Sequence, residues 1–252
     1  MIAFGSRSRA QTTRRLLQTP SGLTYYKAEW MDSGADPELS PTIFLVEQPP
    51  NSTVEPHFHR QNQFQLFVGG GGQLGPSELG PVAVHYAGAY TGYGPIVAGP
   101  GGIQYFTIRP VHDSGALFLG DSESRAQMIR GPKRHATSAP LQLLPPQARA
   151  SLKDTESVEM IPLAEDGLGA RLLRLPPGAP ALTAFPVAAR GIFAIVLAGS
   201  LTHAGGQLAE WESVFVSSQA EMPKLAGGPS GAEVVFLFTP AKAGAYLTRR
   251  SE

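Results

Sequence analysis

The sequence predicts an all-β fold built from two copies of one unit. Three observations predict it: many short segments rich in β-branched and aromatic residues, an excess of glycine and proline, and an internal repeat. The 29 glycines and 23 prolines make up about a fifth of the 252 residues, which is nearly double ordinary usage. Together with 42% hydrophobic residues, this composition is typical of short strands joined by tight turns.

Ten segments have the composition of strands, because each is short and is bounded by Gly, Pro, Asn or Ser. These segments are residues 24–30, 42–46, 63–68, 82–86, 103–108, 116–119, 170–175, 192–197, 213–216 and 234–238. Four consecutive glycines at 69–72 predict a hairpin turn directly after the third segment.

The composition changes near the middle of the chain, where charges cluster and prolines interrupt the pattern. We therefore expect a first domain over residues 1–125, a connector over 126–162 and a second domain over 163–252. A short helix is predicted at 146–152, since Pro146 stands in its first turn. Residues 1–20 hold four arginines and no acid, which predicts either a poorly ordered arm or a first strand that packs on a partner subunit.

The two halves of the chain resemble each other in sequence. Residues 65–70 (QLFVGG) have a counterpart in 194–199 (AIVLAG), and 98–102 (AGPGG) have one in 227–231 (GGPSG). The offset stays between 127 and 130 residues. Two copies of one all-β unit explain this pattern.

Composition and charge also exclude several classes of function. The chain has no cysteine, so disulfide scaffolds, thiol catalysis and iron–sulfur sites are excluded. Twenty basic and twenty acidic residues give zero net charge, whereas nucleic acid and acidic membranes attract a positive field. No apolar run approaches the 18 residues of a membrane span. We therefore expect a cytoplasmic protein with neither nucleic acid nor membrane as a partner.

A His-x-His pair carries the chemistry of the first half. His57 and His59 are two residues apart, so on an extended strand both imidazoles point to one face and can aim at one point. Gln63 follows His59 by four residues, and Gly70 follows Gln63 by seven. Further along the first half of the chain, Tyr105 and Arg109 come after Gly94, Pro100 and Gly102.

With these residues the sequence resembles the cupin superfamily. The first cupin motif, G-(X)5-H-X-H-(X)3,4-E-(X)6-G, maps onto Asn51, His57, His59, Gln63 and Gly70. The second motif, G-(X)5-P-X-G-(X)2-H-(X)3-N, maps onto Gly94, Pro100, Gly102, Tyr105 and Arg109. Together with the repeat, the resemblance implies a bicupin, with two jelly-roll (double-stranded β-helix) barrels in one chain.

The resemblance also implies a divalent metal site, but this sequence departs from the family's ligands. Gln63 replaces the Glu, Tyr105 replaces the motif-two His and Arg109 replaces the Asn. The candidate ligands are therefore His57, His59 and Gln63, with His85 or the Tyr105 phenolate as a further donor. Zn, Ni, Cu, Fe or Mn is the expected ion, and nitrogen ligands favour the first three.

Other polar residues are expected to line the same barrel and to bind a small organic ligand: Gln65, Tyr93, Gln104 and Tyr105. The corresponding part of the second half is apolar, with Ala184 and Pro186 near the positions of the histidines and Ile192 at the position of the Glu. We therefore expect one site per chain.

Three functions remain open from the sequence. The first is a metal-dependent, oxygenase-like enzyme of unknown substrate, for which no catalytic residue can be named. The second is a non-catalytic cupin that binds or senses a small molecule, and the third is a structural interaction module. Strands that are apolar on both faces need cover on both sides, so we also expect a homodimer.

Overall fold

The computed structural model describes residues 1–181 and 186–247. Ala184 lies outside these residues. Two compact units are present. We call the unit of residues 10–141, together with the segment from residue 242, the N-terminal barrel, and the unit of residues 1–9 and 142–241 the C-terminal barrel. The division thus assigns the first nine residues to the C-terminal barrel, and most of the expected connector is shared between the two units.

The predicted all-β fold is confirmed, and each of the ten predicted strands overlaps a strand of the structure. Up to residue 141 the elements are β1 (Ile2–Gly5), α1 (Arg7–Thr13), β2 (Arg15–Gln18), β3 (Thr24–Asp32), β4 (Thr42–Gln48), β5 (Thr53–Val54), β6 (His57–Phe58), β7 (Gln63–Leu74), β8 (Ser77–Leu79), β9 (Ala83–Ala87), β10 (Ile96–Arg109), β11 (Leu117–Phe118), α2 (Ser122–Ala126) and β12 (His135–Thr137).

The later elements are α3 (Pro146–Ala150), β13 (Glu156–Ile161), β14 (Gly169–Leu175), β15 (Ile192–His203), β16 (Gly206–Leu208), β17 (Ser213–Val216) and β18 (Ala226–Phe238), with 3₁₀ turns at Gln219–Glu221 and Gly244–Tyr246. The predicted connector helix is α3, where Pro146 supplies a fixed φ at the start. No helix of the described residues is long and apolar enough to cross a membrane.

Six strands of each barrel follow the same order, and the N-terminal barrel has β2 as an additional strand at one edge. The N-terminal barrel runs β12-β9-β7-β10-β4-β3-β2, and the C-terminal barrel runs β1-β17-β15-β18-β14-β13. Strand β1 therefore occupies the place that β12 has in the N-terminal barrel. Its residues pair with β17 of the same chain, from Ile2 with Val216 to Gly5 with Ser213, so residues 2–5 form an ordered strand rather than a poorly ordered arm.

The four glycines at 69–72 do not form the predicted turn. They lie inside β7, which continues to Leu74. Gly70 has a φ of 66°, and a Cβ there would lie 2.1 Å from the carbonyl oxygen of Gly102 on β10. Gly199 on β15 repeats this geometry 129 residues later, with a φ of 74° and a Cβ position 2.1 Å from the Gly231 oxygen. Glycine is used here for a register shift in which two backbones approach closely.

We predict that Gly70→Ala and Gly199→Ala each lower the free energy of unfolding by more than about 2 kcal/mol, since the new Cβ meets backbone and the left-handed φ is strained. Urea denaturation measures the effect. Gly75→Ala is the matched control: its φ is 55° but no atom lies within 4 Å of the Cβ position, so its cost should stay near about 1 kcal/mol. Equal costs at Gly70 and Gly75 would contradict the close-approach argument.

Candidate ligand-binding site

A cavity of about 350 Å³ lies in the N-terminal barrel. Three strands place alternate side chains on its wall, because residues two apart on a strand share a face. Strand β3 contributes Tyr25, Lys27 and Glu29, strand β4 contributes Thr42, Phe44 and Val46, and strand β10 contributes Tyr105, Thr107 and Arg109. His57, His59, Gln65 and Tyr93 also line the cavity.

A chain of hydrogen bonds runs from Arg109 to His57. The Nε and Nη2 groups of Arg109 donate to Oε1 of Gln63, at 3.0 and 2.9 Å. The Gln63 amide NH₂ donates to the hydroxyl of Tyr93, which lies 2.8 Å from Nε2 of His57. His57 Nδ1 lies 2.7 Å from the carbonyl oxygen of Glu55.

The chemistry of these groups fixes the direction of each bond. A carbonyl oxygen only accepts, so His57 carries its proton on Nδ1 and presents a lone pair at Nε2. Tyr93 therefore donates to Nε2 of His57 and accepts from Gln63. Arginine has no acceptor, so the Gln63 oxygen must face Arg109. A glutamate at 63 would accept from Arg109 but could not donate to Tyr93 when ionised.

A second branch joins Arg109 to Asp113 through His59. Nδ1 of His59 lies 2.9 Å from Oδ1 of Asp113, and Nη2 of Arg109 lies 3.2 Å from Nε2 of His59. Asp113 also accepts from the backbone N–H of Arg60 and of Gly115, each at 2.9 Å. An ionised carboxylate only accepts, so it places the His59 proton on Nδ1. Nη2 of Arg109 is nearly equidistant from Nδ1 and Nε2 of His59, at 3.1 and 3.2 Å, so it lies against the imidazole ring rather than along the lone pair of Nε2.

Burial sets the protonation of these groups. It lowers the pKa of His57 to about 4 and, with the charge of Arg109, that of His59 to about 3. Burial raises the pKa of Asp113, but the hydrogen bond from His59 and the charge of Arg109 outweigh it, so this pKa ends well below its ordinary value. The histidines are thus neutral and Asp113 is ionised at neutral pH.

Tyr105 does not have the environment of a phenolate ligand. Its side chain lies on the cavity wall, but burial, aided by Tyr93 and Tyr25, raises its pKa. Burial likewise raises the pKa of Tyr93. Both hydroxyls keep their protons and serve as neutral hydrogen-bonding groups.

The remaining predicted residues are divided by the structure. Gln65 lines the cavity, and its buried Oε1 has no hydrogen-bond partner. His85 pairs with Gln65 across β9 and β7 but is absent from the cavity wall; its Nδ1 lies 2.8 Å from the Thr137 hydroxyl and its Nε2 is buried without a partner.

The structure places Gln104 outside the cavity, so the expectation that it binds the same ligand is not supported by its position. Alternation on β10 sends Tyr105 inward and Gln104 to the opposite face. There it pairs with Glu47 and Gly69 in register and borders a separate open hollow that includes Arg14 and Tyr26.

The residues present do not fit a resident divalent metal ion. Nε2 of His57, which would coordinate it, already accepts a hydrogen bond from Tyr93, and the guanidinium of Arg109 lies 3.2 Å from Nε2 of His59, where the ion would need to approach. Gln63 is neutral, so it does not offset the two positive charges of a divalent ion. It also holds the guanidinium of Arg109, which adds a third positive charge to the site. No group of three or more His, Asp or Glu side chains that could hold a metal occurs in the described ranges.

Sequence reasoning missed three groups of this site. Lys27 and Glu29 form an ion pair at 3.0 Å. They are two and four residues after Tyr25 on a predicted strand, so the sequence could have indicated that all three share one face. Asp113 lies in the loop after β10 and meets His59 across 54 residues, for which the sequence holds no local signal.

Similarity to known proteins is found at the level of the fold and not of the sequence families. No family model matches the chain, and no curated protein matches it. Among solved structures, a provisionally assigned dioxygenase from Nostoc punctiforme is 14% identical with a TM-score of 0.59, covering 98% of this chain and 82% of that chain.

Two further solved structures are similar. The bacterial pirin YhhW from Escherichia coli, in complex with nickel(II), is 13% identical with a TM-score of 0.51, covering 95% of this chain and 99% of that chain. A single-residue mutant of Bacillus subtilis oxalate decarboxylase is 10% identical with a TM-score of 0.55, covering 96% of this chain and 78% of that chain. These are cupin structures, so the comparison confirms the cupin fold that the motifs and the repeat predicted.

We predict that acid destabilises the protein through its buried histidines. The folded-state pKa values of His57, His59 and His85 are about 4, 3 and 3, against 6.5 for a free histidine. Between these values the unfolded chain binds protons that the folded protein does not. The free energy of unfolding should therefore fall as the pH drops from 6.5 towards 4, by about 1.4 kcal/mol per pH unit for each histidine.

Urea denaturation at a series of pH values measures this slope. His85→Asn should remove one histidine's share of it, which comparison with the wild-type slope measures. A free energy of unfolding that does not change over this pH range would contradict the prediction.

Proposed function

We propose that the N-terminal barrel binds one small polar organic molecule, and that it does so without a resident metal ion. One observation carries the proposal: the cavity in this barrel lies where the repeated barrel is filled. The residues 129 positions after Gln65, Thr107 and Arg109 are Ala194, Phe236 and Phe238, which belong to a buried apolar cluster of the C-terminal barrel. The same fold can therefore close this space, and the N-terminal barrel keeps it open with polar walls.

The wall offers both orientation and apolar contact. Gln65 presents an unpaired buried oxygen, which costs free energy unless a donor satisfies it. Phe44, Val46 and Phe118 supply apolar surface beside it. An enclosed space with a few convergent polar groups and several aromatic rings suits a small organic ligand.

The similarity to a nickel-bound pirin and to a provisionally assigned dioxygenase supports a metal-dependent enzyme as the second candidate. It is the weaker one, because the lone pair of His57 accepts a hydrogen bond from Tyr93 and the positive charge of Arg109 lies 3.2 Å from Nε2 of His59. The chain's own residues would instead bind and orient a ligand: Gln65 accepts a hydrogen bond from it, and Tyr105 and Thr107 contact it.

The homodimer and the cytoplasmic location expected from the sequence stay predictions. Light scattering over micromolar concentrations measures the mass of the particle, and a monomer mass throughout would contradict the dimer.

We predict that Thr107→Phe removes ligand binding while the protein stays folded, since Phe is the residue at the equivalent position of the other barrel. A fragment library screened by ligand-observed NMR should give hits that bind the wild-type protein and not this variant. Thr202→Phe, which places the same side chain at a partly exposed position of β15, is the matched control and should keep the hits. Fragments that bind wild type and Thr107→Phe equally would overturn the proposal.

A further inference from the structure

We infer that Arg109 takes the place of a metal ion in this barrel and that the ligand binds to it through an acidic group. The second part rests on the proposed function, whereas the first does not. The inference depends on the free hydrogen-bond donors of Arg109, on the absence of a carboxylate in contact with it among the described residues, and on the fit of Gln63 to it.

Arg109 has donors that no described residue uses. A guanidinium carries five N–H groups. The bonds to Gln63 and His59 come from Nε and Nη2 alone, and Nη1 makes no hydrogen bond to the described part of the chain. Because Arg109 lines the cavity, the two N–H groups of Nη1 are available to a molecule inside it.

Arg109 also lacks a counter-charge in contact. Its side chain is buried, with the residue only 4% exposed, yet its hydrogen-bond partners, Gln63 and His59, are both neutral. Glu29 pairs with Lys27 at 3.0 Å, and the ionised Asp113 is separated from Arg109 by the neutral His59, which it contacts at 2.9 Å. A buried cation whose nearest free carboxylate lies beyond an imidazole is only partly compensated, and an acidic ligand would supply a partner in contact.

The fit of Gln63 explains why this site differs from the family's ligand set. The amide accepts twice from Arg109 and donates to Tyr93, so one residue links the cation to the phenol. A glutamate at position 63 would suit a metal ion, because it brings a negative charge. The glutamine suits this guanidinium, because it accepts from Arg109 and donates to Tyr93. The two departures at 63 and 109 therefore belong together, and the cation of the site is part of the chain.

The chemistry of the wall indicates the class of ligand. A carboxylate accepts a short, charge-assisted hydrogen bond from a guanidinium N–H group such as those of Nη1. Phe44 lies beside Arg109, with its ring centroid 5.4 Å from Cζ, and Val46 and Phe118 extend the apolar wall. We therefore assign the site to a small carboxylic acid with an apolar or aromatic body. A hydrogen-bond donor elsewhere on such a ligand would meet the unpaired Oε1 of Gln65.

Paired probes test the acidic group. Benzoate and benzamide have the same shape and differ in charge, so calorimetry should show benzoate binding to the wild-type protein and benzamide binding at least roughly tenfold more weakly. Arg109→Met should lose benzoate binding, Arg109→Lys should retain part of it, and Arg60→Met, which changes an arginine outside the cavity wall, should leave it as it is. Circular dichroism checks that each variant folds.

The results separate the two proposals. If benzamide binds as well as benzoate, or if Arg109→Met and Arg109→Lys bind benzoate like wild type, the assignment of the acidic group is wrong while the small-molecule site stands. If neutral fragments occupy the cavity but benzoate does not bind, the assignment is again wrong. If nothing occupies the cavity, the proposed function fails as well.

Nickel binding tests the replacement of the metal directly. After incubation with Ni²⁺ and gel filtration, elemental analysis should find no stoichiometric nickel in wild type or in Gln63→Glu, because Arg109 remains in both. The double variant Gln63→Glu with Arg109→Asn restores the family's residues at both positions and should retain about one nickel per chain, which His57→Ala removes.

Two outcomes would overturn this part. One is about one nickel per wild-type chain that is lost in His57→Ala. The other is a folded double variant that holds no nickel, since Arg109 and Gln63 would then not be what excludes the ion.

Discussion

The buried guanidinium of Arg109 sets the arrangement of the whole N-terminal site. A cation that cannot lose its proton needs acceptors around it, and the oxygen of Gln63 accepts twice from Arg109. Once that oxygen faces Arg109, the NH₂ of Gln63 must face Tyr93, and Tyr93 must donate to His57. The lone pair of His57 is thereby lost as a metal ligand, while the Glu55 carbonyl and the Asp113 carboxylate set the tautomers of His57 and His59.

The two barrels show that fold and site are separable in this protein. They share strand order and the glycine-based register shift at Gly70 and Gly199, which are backbone properties. Their interiors differ: the wall that carries Thr107 and Arg109 in one barrel carries Phe236 and Phe238 in the other. Packing apolar side chains stabilises a barrel, whereas a polar cavity costs stability.

Local patterns predicted the strands well and their ends poorly. Strand β7 continues through its glycines to Leu74, and β10 begins at Ile96, because pairing with a neighbouring strand overrides the tendency of Gly and Pro to form turns. Gln65 on β7 and Tyr105 on β10 lie on the cavity wall, as alternation along each strand allows. Alternation excludes Gln104 for the same reason, since neighbours on a strand cannot share a face.

The sequence by itself determined the all-β class, the duplication, the cupin motifs and the presence of His57 and His59 on one side of a strand, because these depend on spacing along the chain. Only the tertiary structure decided what meets those histidines. Asp113 reaches His59 across 54 residues and Arg109 reaches Gln63 across 46, through strand pairing and a loop that no local pattern encodes. The chemistry of the site follows from these long-range contacts. The group that faces a histidine nitrogen decides whether its lone pair can coordinate a metal ion or instead accepts a hydrogen bond.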